Sequence, residues 1–243
     1  MFTESVWDGI DGVVFDAVGT LIEPEPSVAD VYLGAAARQG VVLGRSEVKA
    51  RFGLYFRNDE VDEQRGLLVT DEGLEFRRWR RIVGSVLAEA PDQEKAFREL
   101  WDHFARPGSW RCFADVGPTL QVLEERGMPL RIASNFDGRL RGVVEGLDEL
   151  RGLRGSLVIS SEVGYRKPHA SFYRAACDSL GLEAARVLYV GDDLENDVAG
   201  PYRAGLKAVL VDRLGGEGNG VPTVANLNEL VASRQEGIVR DPF

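Results

Sequence analysis

Five short apolar runs constrain this chain more than any other feature. They lie at 12–17, 129–134, 156–160, 187–191 and 207–211, and their centres read VVFD, LRIAS, LVIS, VLYVG and AVLV. Each is rich in Val, Ile and Leu without a regular polar alternation, the pattern of strands buried on both faces. Between the later runs the apolar spacing changes to helical. Leu140, Val143, Val144 and Leu147 share one face, and Phe172, Tyr173, Ala176, Cys177 and Leu180 share another. Strand–helix–strand repetition of this kind predicts an α/β fold, a parallel sheet covered by helices.

The stretch from about 24 to 108 has no strand-like run. Val28, Val31, Tyr32 and Ala35 fall on one helical face, and Val48, Phe52, Tyr55 and Phe56 on a second. Trp79, Ile82, Val83, Val86 and Leu87 make a third, and Phe97, Leu100, Trp101 and Phe104 a fourth. Four amphipathic helices suffice for a small bundle. The predicted organisation is a core from 1–22 and 109–243, interrupted by an all-helical insert over 23–108. EPEP and RPGSW read as its hinges. GGEGNG (215–220) reads as a flexible loop before a last short run and helix, VPTVANLNELVAS.

With 243 residues, 44% hydrophobic and 28% charged, the composition is that of an ordinary globular protein. A net charge of −10 repels phosphate backbones and anionic lipid, which argues against nucleic-acid or membrane partners. The basic and aromatic run EFRRWRRIV (75–83) fits the same view. Phe76, Trp79, Ile82 and Val83 form one face and the arginines mostly another, a solvated helix, although arginines near a cleft mouth would help recruit an anionic substrate. MFTESVWDGIDG lacks a basic start and a long apolar core, and no run approaches membrane-spanning length, so a cytoplasmic location is expected. Cys112 and Cys177 fit two buried thiols or one bridge, the thiols being the simpler reading. Oligomeric state is not legible.

In an open parallel sheet, ligands bind beyond the carboxyl ends of the strands. The first run ends in Asp16, followed by Gly19 and Thr20; the second ends in Ser134 and Asn135. SSEVGYRKP follows the third, with Lys167 where Pro168 is expected to start a helix. The fourth ends in GDDLEND, carrying Asp192, Asp193 and Asp197. Singly, each has a plain explanation: a turn Asp, an N-cap, a solvated lysine, acids that complement a helix dipole. Together they set a nucleophilic carboxylate, a hydroxyl, a cation and a metal-type acid pair at four ends of one sheet.

These segments resemble, in order and over nearly the whole chain, the four motifs of the haloacid dehalogenase superfamily. FDAVGT is similar to motif I, IASN to motif II, YRKP to motif III and VGDDLEND to motif IV. The helical insert after motif I is similar to the family's small cap, and the resemblance implies a Rossmann-like core. It further implies an Mg²⁺-dependent phosphohydrolase acting on a small phosphorylated metabolite, with Asp16 forming an aspartyl-phosphate. Asp16, Asp192 and the Val18 carbonyl would ligate the metal. Lys167, Ser134, Asn135 and the backbone of Val18, Gly19 and Thr20 would hold phosphate oxygens. Asp193 or Asp197 would orient Lys167 or water from behind, and Thr20 would shape the turn.

One departure stands out. Phosphatases of this superfamily usually carry an Asp two places after the nucleophile, as general acid and base, and Val18 occupies that place. Losing such help typically costs about 10²- to 10⁴-fold in rate. Alternatives therefore remain open. A 2-haloacid dehalogenase needs no proton on its leaving halide and has a motif I that DAVGT approaches, but it works without a metal and generally lacks an acidic motif IV, so GDDLEND favours phosphate. Phosphonate-cleaving relatives use a cap lysine, for which only Lys49 offers itself, otherwise a solvated helix residue. A third possibility is a catalytically impaired phosphate or metal binder. His103 is a potential substitute acid from the cap, although a surface position beside Trp101 and Phe104 explains it equally. His169 is peripheral.

Overall fold

The structure, a computed structural model, describes residues 6–64, 68–216 and 220–236. The first five residues of MFTESVWDGIDG and the 217–219 portion of GGEGNG lie outside the described residues, with the readings made of them.

The apolar runs form a six-stranded, all-parallel sheet from β1 (Gly12–Phe15), β4 (Leu130–Ser134), β5 (Leu157–Ile159), β6 (Val187–Gly191), β7 (Lys207–Val211) and β8 (Thr223–Val224), in the order β5-β4-β1-β6-β7-β8. The two-residue period of a strand sends alternate side chains to opposite faces. Val13, Phe15, Ile132, Leu188, Val190 and Val209 therefore join one apolar cluster. Val14, Ala133, Tyr189, Ala208 and Leu210 join a second on the other face. The first is closed by α5 (Val116–Glu125), α6 (Arg139–Gly146) and α10 (Leu227–Glu236). α8 (Ala170–Leu180) covers the second, flanked by the short helices α7 (Ser160–Val163) and α9 (Gly200–Arg203). The result is a three-layer, Rossmann-like α/β core.

Strand order places the site. From β1 the chain builds outward through β4 to β5, then returns to the opposite flank of β1 as β6. The carboxyl ends of β4, β1 and β6 thus border a topological switch point, where two connections leave in opposite directions and open a crevice.

The insert is attached through β2 (Ile22–Pro24) and β3 (Trp110–Cys112), an antiparallel pair in which Ile22 faces Cys112 and Pro24 faces Trp110. Nothing in the apolar pattern marks these strands, because three residues are too few to display a period. Between them lie α1 (Val28–Arg38), α2 (Arg45–Gln64), α3 (Glu72–Val86) and α4 (Gln93–His103). Ser27, Asp71 and Asp92 cap α1, α3 and α4 by accepting from the N–H groups of Asp30, Leu74 and Lys95. The expected faces meet in a core of their own: Tyr32, Val48, Ile82, Val86, Phe97 and Leu100 are buried together. This is the helical cap.

Cap and core meet through polar groups. Glu72 at the start of α3 accepts from the Ser161 hydroxyl and, at 2.9 Å, from the Gly138 N–H. Arg139 lies 3.4 Å over the Trp101 ring, donates to the Trp101 carbonyl at 3.1 Å and pairs with Asp137 through two bonds of 2.7 Å. Both cysteines are free thiols, Cys177 buried and Cys112 half-buried. No helix among the described residues is long and apolar enough to cross a membrane.

Arg213, just past β7, ties the far side of the core to the turn after β1. It donates to the Thr20 carbonyl at 2.7 Å and the Gly19 carbonyl at 3.3 Å, and pairs with Asp115 at 2.9 Å. Asp115 is buried and also accepts the Leu227 N–H at 2.6 Å, anchoring α10. Removing the guanidinium would leave a buried carboxylate without its cation. Arg213→Met should lower the unfolding free energy by about 3 kcal/mol, read by urea denaturation. A loss below about 1 kcal/mol would match a surface pair and refute this anchoring role.

Candidate active site

Asp16 follows β1 directly, and its N–H continues the ladder to the Val190 carbonyl at 2.8 Å. The chain then turns sharply, the Leu21 and Ile22 N–H groups both bonding the Ala17 carbonyl at 2.8 and 2.9 Å. Gly19 has φ +91°, and a Cβ there would strike the Asp192 carboxylate. Only glycine fits both the backbone and the close approach. Gly191 clears space for Asp197 in the same way. Thr20, fully buried, donates to Asp192 at 3.1 Å, joining the ends of β1 and β6.

Lys167 reaches the crevice from the segment between α7 and α8. Its ammonium, buried, donates to Asp16 at 2.8 Å and to Asp197 at 2.6 Å and lies 5.5 Å over the Tyr189 ring. Burial alone would lower its pKa; the Asp16 and Asp197 charges overcome this and hold it well above the usual lysine value. Asn135 fixes the Lys167 backbone, accepting from its N–H at 2.7 Å and donating to its carbonyl at 3.2 Å. Ser134, at the end of β4, is buried and lines the crevice. Asp193 caps the π-helical turn Leu194–Ala199, accepting from the Glu195 and Asn196 N–H groups at 2.9 and 2.7 Å. Its own N–H donates to Asp197 at 3.0 Å.

Three carboxylates converge here. Asp16, Asp192 and Asp197 each present an oxygen within 4.8 Å of the other two. Desolvation, with Asp16 adding and Lys167 opposing, pushes Asp197 up to about 7. Asp192 keeps solvent contact at the crevice mouth, yet the surrounding protein and then Asp16 push it up to about 6. Three acids facing one ammonium form a site short of positive charge. An all-oxygen donor set of this kind suits a hard divalent cation.

Above this floor lies a cavity of about 380 Å³ between core and cap. Its walls are largely aromatic, including Tyr32, Phe52, Trp79, Trp101, Trp110 and Phe136. Val18 lines it beside Asp16 and packs on the core cluster. The two cap candidates lie elsewhere: Lys49 is exposed on α2, and His103, at the end of α4, does not line the cavity. Burial, then the Arg106 and Arg38 charges, lower the His103 pKa. α8 begins at Ala170, not at Pro168, and His169 caps it: its Nδ1 accepts from the Ser171 N–H at 3.1 Å, and its ring stacks on Tyr165.

Arg78 is the residue that pattern reading misplaces. Helical spacing assigns the arginines of EFRRWRRIV mostly to a solvated face, and Arg77, Arg80 and Arg81 are exposed. Arg78 is 3% exposed and lines the cavity with Arg139 and Arg166. The signal available was Glu75, three residues earlier and equally buried, whose carboxylate Arg166 meets at 3.0 Å and Arg78 at 3.8 Å.

A family model described as haloacid dehalogenase-like hydrolase matches residues 10–205. The haloacid dehalogenase-like hydrolase domain-containing protein 3 of Mus musculus is 30% identical over 209 residues, 82% of this chain and 80% of the relative. The protein of the same name from Danio rerio is 26% identical over 215 residues, 84% and 86% of the two chains. Among solved structures, the L-2-haloacid dehalogenase from Xanthobacter autotrophicus superposes with a TM-score of 0.72 at 19% identity, covering 95% of this chain and all of the other.

These findings correct the expectation of an Mg²⁺-dependent phosphohydrolase of a small phosphorylated metabolite, working through an aspartyl-phosphate with its acid/base lost at Val18. The carboxylate cluster is complete, its third member being Asp197, so position 18 leaves no gap in it. The two relatives from Mus musculus and Danio rerio carry the dehalogenase-like hydrolase name, while relatives matched over a similar share of the chain are named phosphoglycolate phosphatase and glyceraldehyde 3-phosphate phosphatase. Physically, apolar Val18 belongs to the wall of an aromatic cavity and not to the charged floor. The chain is a hydrolase and belongs to the haloacid dehalogenase-like hydrolase family.

Proposed function

We propose that the protein is a dehalogenase-type hydrolase in which Asp16 displaces a leaving group that departs as an anion without protonation, halide from a 2-haloacid being the model reaction. The observation that carries this is position 18. A group leaving Asp16's neighbourhood meets a valine and aromatic walls, which offer an anion such as halide a departure route needing no acid.

Lys167 binds one Asp16 oxygen at 2.8 Å, fixing the carboxylate so that the other oxygen attacks. The new C–O bond forms as the carbon–halogen bond breaks, and halide leaves with the bonding pair. Water then adds to the Asp16 carboxyl carbon and the ester C–O bond breaks. The hydroxy acid leaves with one proton of that water, and the other passes to solvent. The Lys167 ammonium faces the oxyanion that develops on Asp16 during this step. The Ser134 hydroxyl contacts the substrate, while Asn135 acts through the Lys167 backbone. The Gly19–Thr20 turn and Asp193 keep the carboxylates in register. Dehalogenases of the family work without a metal, and this chain departs from them in Asp16, Asp192 and Asp197, which would hold Mg²⁺ and so gain charge neutralisation for the crowded acids.

Wild-type protein should release chloride from 2-chloropropionate, and Asp16→Asn should lower that rate by at least about 10³-fold. In a single turnover in ¹⁸O-water the label should enter Asp16, found by mass spectrometry of its peptide; label going straight to product would sink the covalent route. Val18→Asp, which puts a carboxyl group beside Asp16, should bring no gain in chloride release, and a tenfold increase would show that the leaving group takes a proton. For the cation, calorimetric titration with Mg²⁺ should show binding that Asp192→Asn weakens at least tenfold. Equal affinity in the two proteins would remove Asp192 from the ligand set.

A further inference from the structure

The cap reaches to within one residue of the ammonium that binds Asp16. Residues 68–70, just before α3, pair antiparallel with residues 164–166, the segment that leads into Lys167. The Arg166 N–H donates to the Leu68 carbonyl at 2.9 Å and the Thr70 N–H to the Gly164 carbonyl at 3.1 Å, on either side of Val69 and Tyr165. Leu68 has φ +52°, a left-handed conformation that costs a leucine energy and persists where its surroundings enforce it. This pairing is separate from the β2–β3 pair, and it ties the cap to the lysine segment directly.

Glu75 completes the tie. It lies on α3, is 2% exposed and does not line the cavity. One of its oxygens accepts from the Thr70 hydroxyl at 2.7 Å and from Arg166 at 3.0 Å, while Arg78 stands 3.8 Å from the other. A carboxylate adds nothing to an apolar core, and burying it is costly unless a cation meets it. The closer cation comes from the α/β domain, one residue before Lys167.

Arg166 and Lys167 thus span the crevice. The guanidinium meets Glu75 of the cap, and the ammonium meets Asp16 at 2.8 Å and Asp197 at 2.6 Å. From the core side the same segment is held by Asn135 on the Lys167 backbone and by the His169 N–H on the Arg166 carbonyl at 2.8 Å. The cap supplies the partner of the Arg166 N–H and a partner of its side chain. A shift of this dipeptide moves the ammonium, and a misplacement of about 1 Å at a reacting centre costs on the order of 10²-fold in rate.

We infer that Glu75 is a positioning residue for Lys167: acting through Arg166 and the 68–70 pairing, it makes seating of the cap and placement of the ammonium against Asp16 a single event. This rests on the proposed reading in one respect, the part assigned there to Lys167 in fixing Asp16. Asp16 is held for attack only while the cap encloses the cavity.

The test reads the Lys167 ammonium on the full chain, with Mg²⁺ in the buffer and at one pH, by ¹H–¹⁵N spectroscopy of protein carrying ¹⁵N-lysine. Lys167→Arg identifies the signal by its absence. Glu75→Ala should speed exchange of the ammonium protons with water at least tenfold. Glu75→Gln, which keeps an oxygen for Arg166 and Thr70, should fall between. A cap that merely loses stability melts earlier and, well below its melt, leaves this rate unchanged. Arg166→Met should match Glu75→Ala, and the double variant should exchange no faster than either single, because both act through one contact. Exchange within twofold of wild type in folded Glu75→Ala would overturn the inference, as would a double variant whose acceleration is the product of the singles. Should thermal melts show that the variants do not fold, amide exchange in wild type decides. Thr70, Arg166 and Lys167 should then have protection factors within threefold of one another, as one opening unit requires, and a larger excess at Lys167 would overturn the inference. An ammonium that responds in a protein releasing no chloride would leave this inference standing and remove the dehalogenase reaction; chloride release at the wild-type kcat in Glu75→Ala would do the reverse.

Discussion

The Lys167 ammonium, buried between Asp16 and Asp197, is the interaction on which the rest of the site depends. Burying one charge is costly, and here the cost is met because the lysine and its two carboxylate partners arrive from three separate strand ends. Asp16 comes with β1, Asp197 with the turn after β6, and Lys167 from beyond β5 under the hold of Asn135 after β4. The strand order that puts β4 and β6 on either side of β1 is therefore a requirement of the electrostatics as well as of the packing. Two glycines complete it, since side chains at 19 or 191 would occupy the volume of the carboxylates.

The cap stands in a different relation to this centre. It has an apolar core of its own, distinct from the two clusters that sandwich the sheet, and it touches the α/β domain largely through ions and polar groups: Glu72 with Ser161 and Gly138, Glu75 with Arg166, Trp101 with Arg139. This polar seam fixes one mutual arrangement by geometry, with Phe104 of the cap packed on Trp110 beside it.

The division between what was legible in the sequence and what was not follows from the range of the interactions. The central strands announced themselves because both of their faces are buried, which leaves few polar residues to blur the run; Val13, Val14 and Phe15 are wholly inaccessible. Cap helices were equally plain from faces such as Ile82, Val83, Val86 and Leu87. Strands β2 and β3 were not, since three residues cannot show a period and their pairing joins positions almost ninety apart. Arg78 was hidden for a related reason. Its neighbours on the helix are exposed arginines, and what buries it is Glu75 on its own helix, Arg166 in the core and the rings of Phe56 and Trp79. Arg213 likewise serves a turn that lies nearly two hundred residues earlier.

Position 18 becomes intelligible once the charges around it are counted. Asp16, Asp192 and Asp197 already crowd within 4.8 Å of one another against a single ammonium, and burial first, with the Asp16 charge adding, drives Asp192 and Asp197 toward protonation. An acid at 18 would put a further carboxylate at the rim of that cluster, raising like-charge repulsion where Asp16 would have to remain ionised to attack in the proposed reaction. Valine avoids this and adds apolar wall to the cavity beside Asp16. A reaction whose leaving group demands a proton would have to bear the repulsion, whereas one whose leaving group departs as a stable anion need not. The residue that looks like a loss when motif I is read alone is consistent with the cavity it faces.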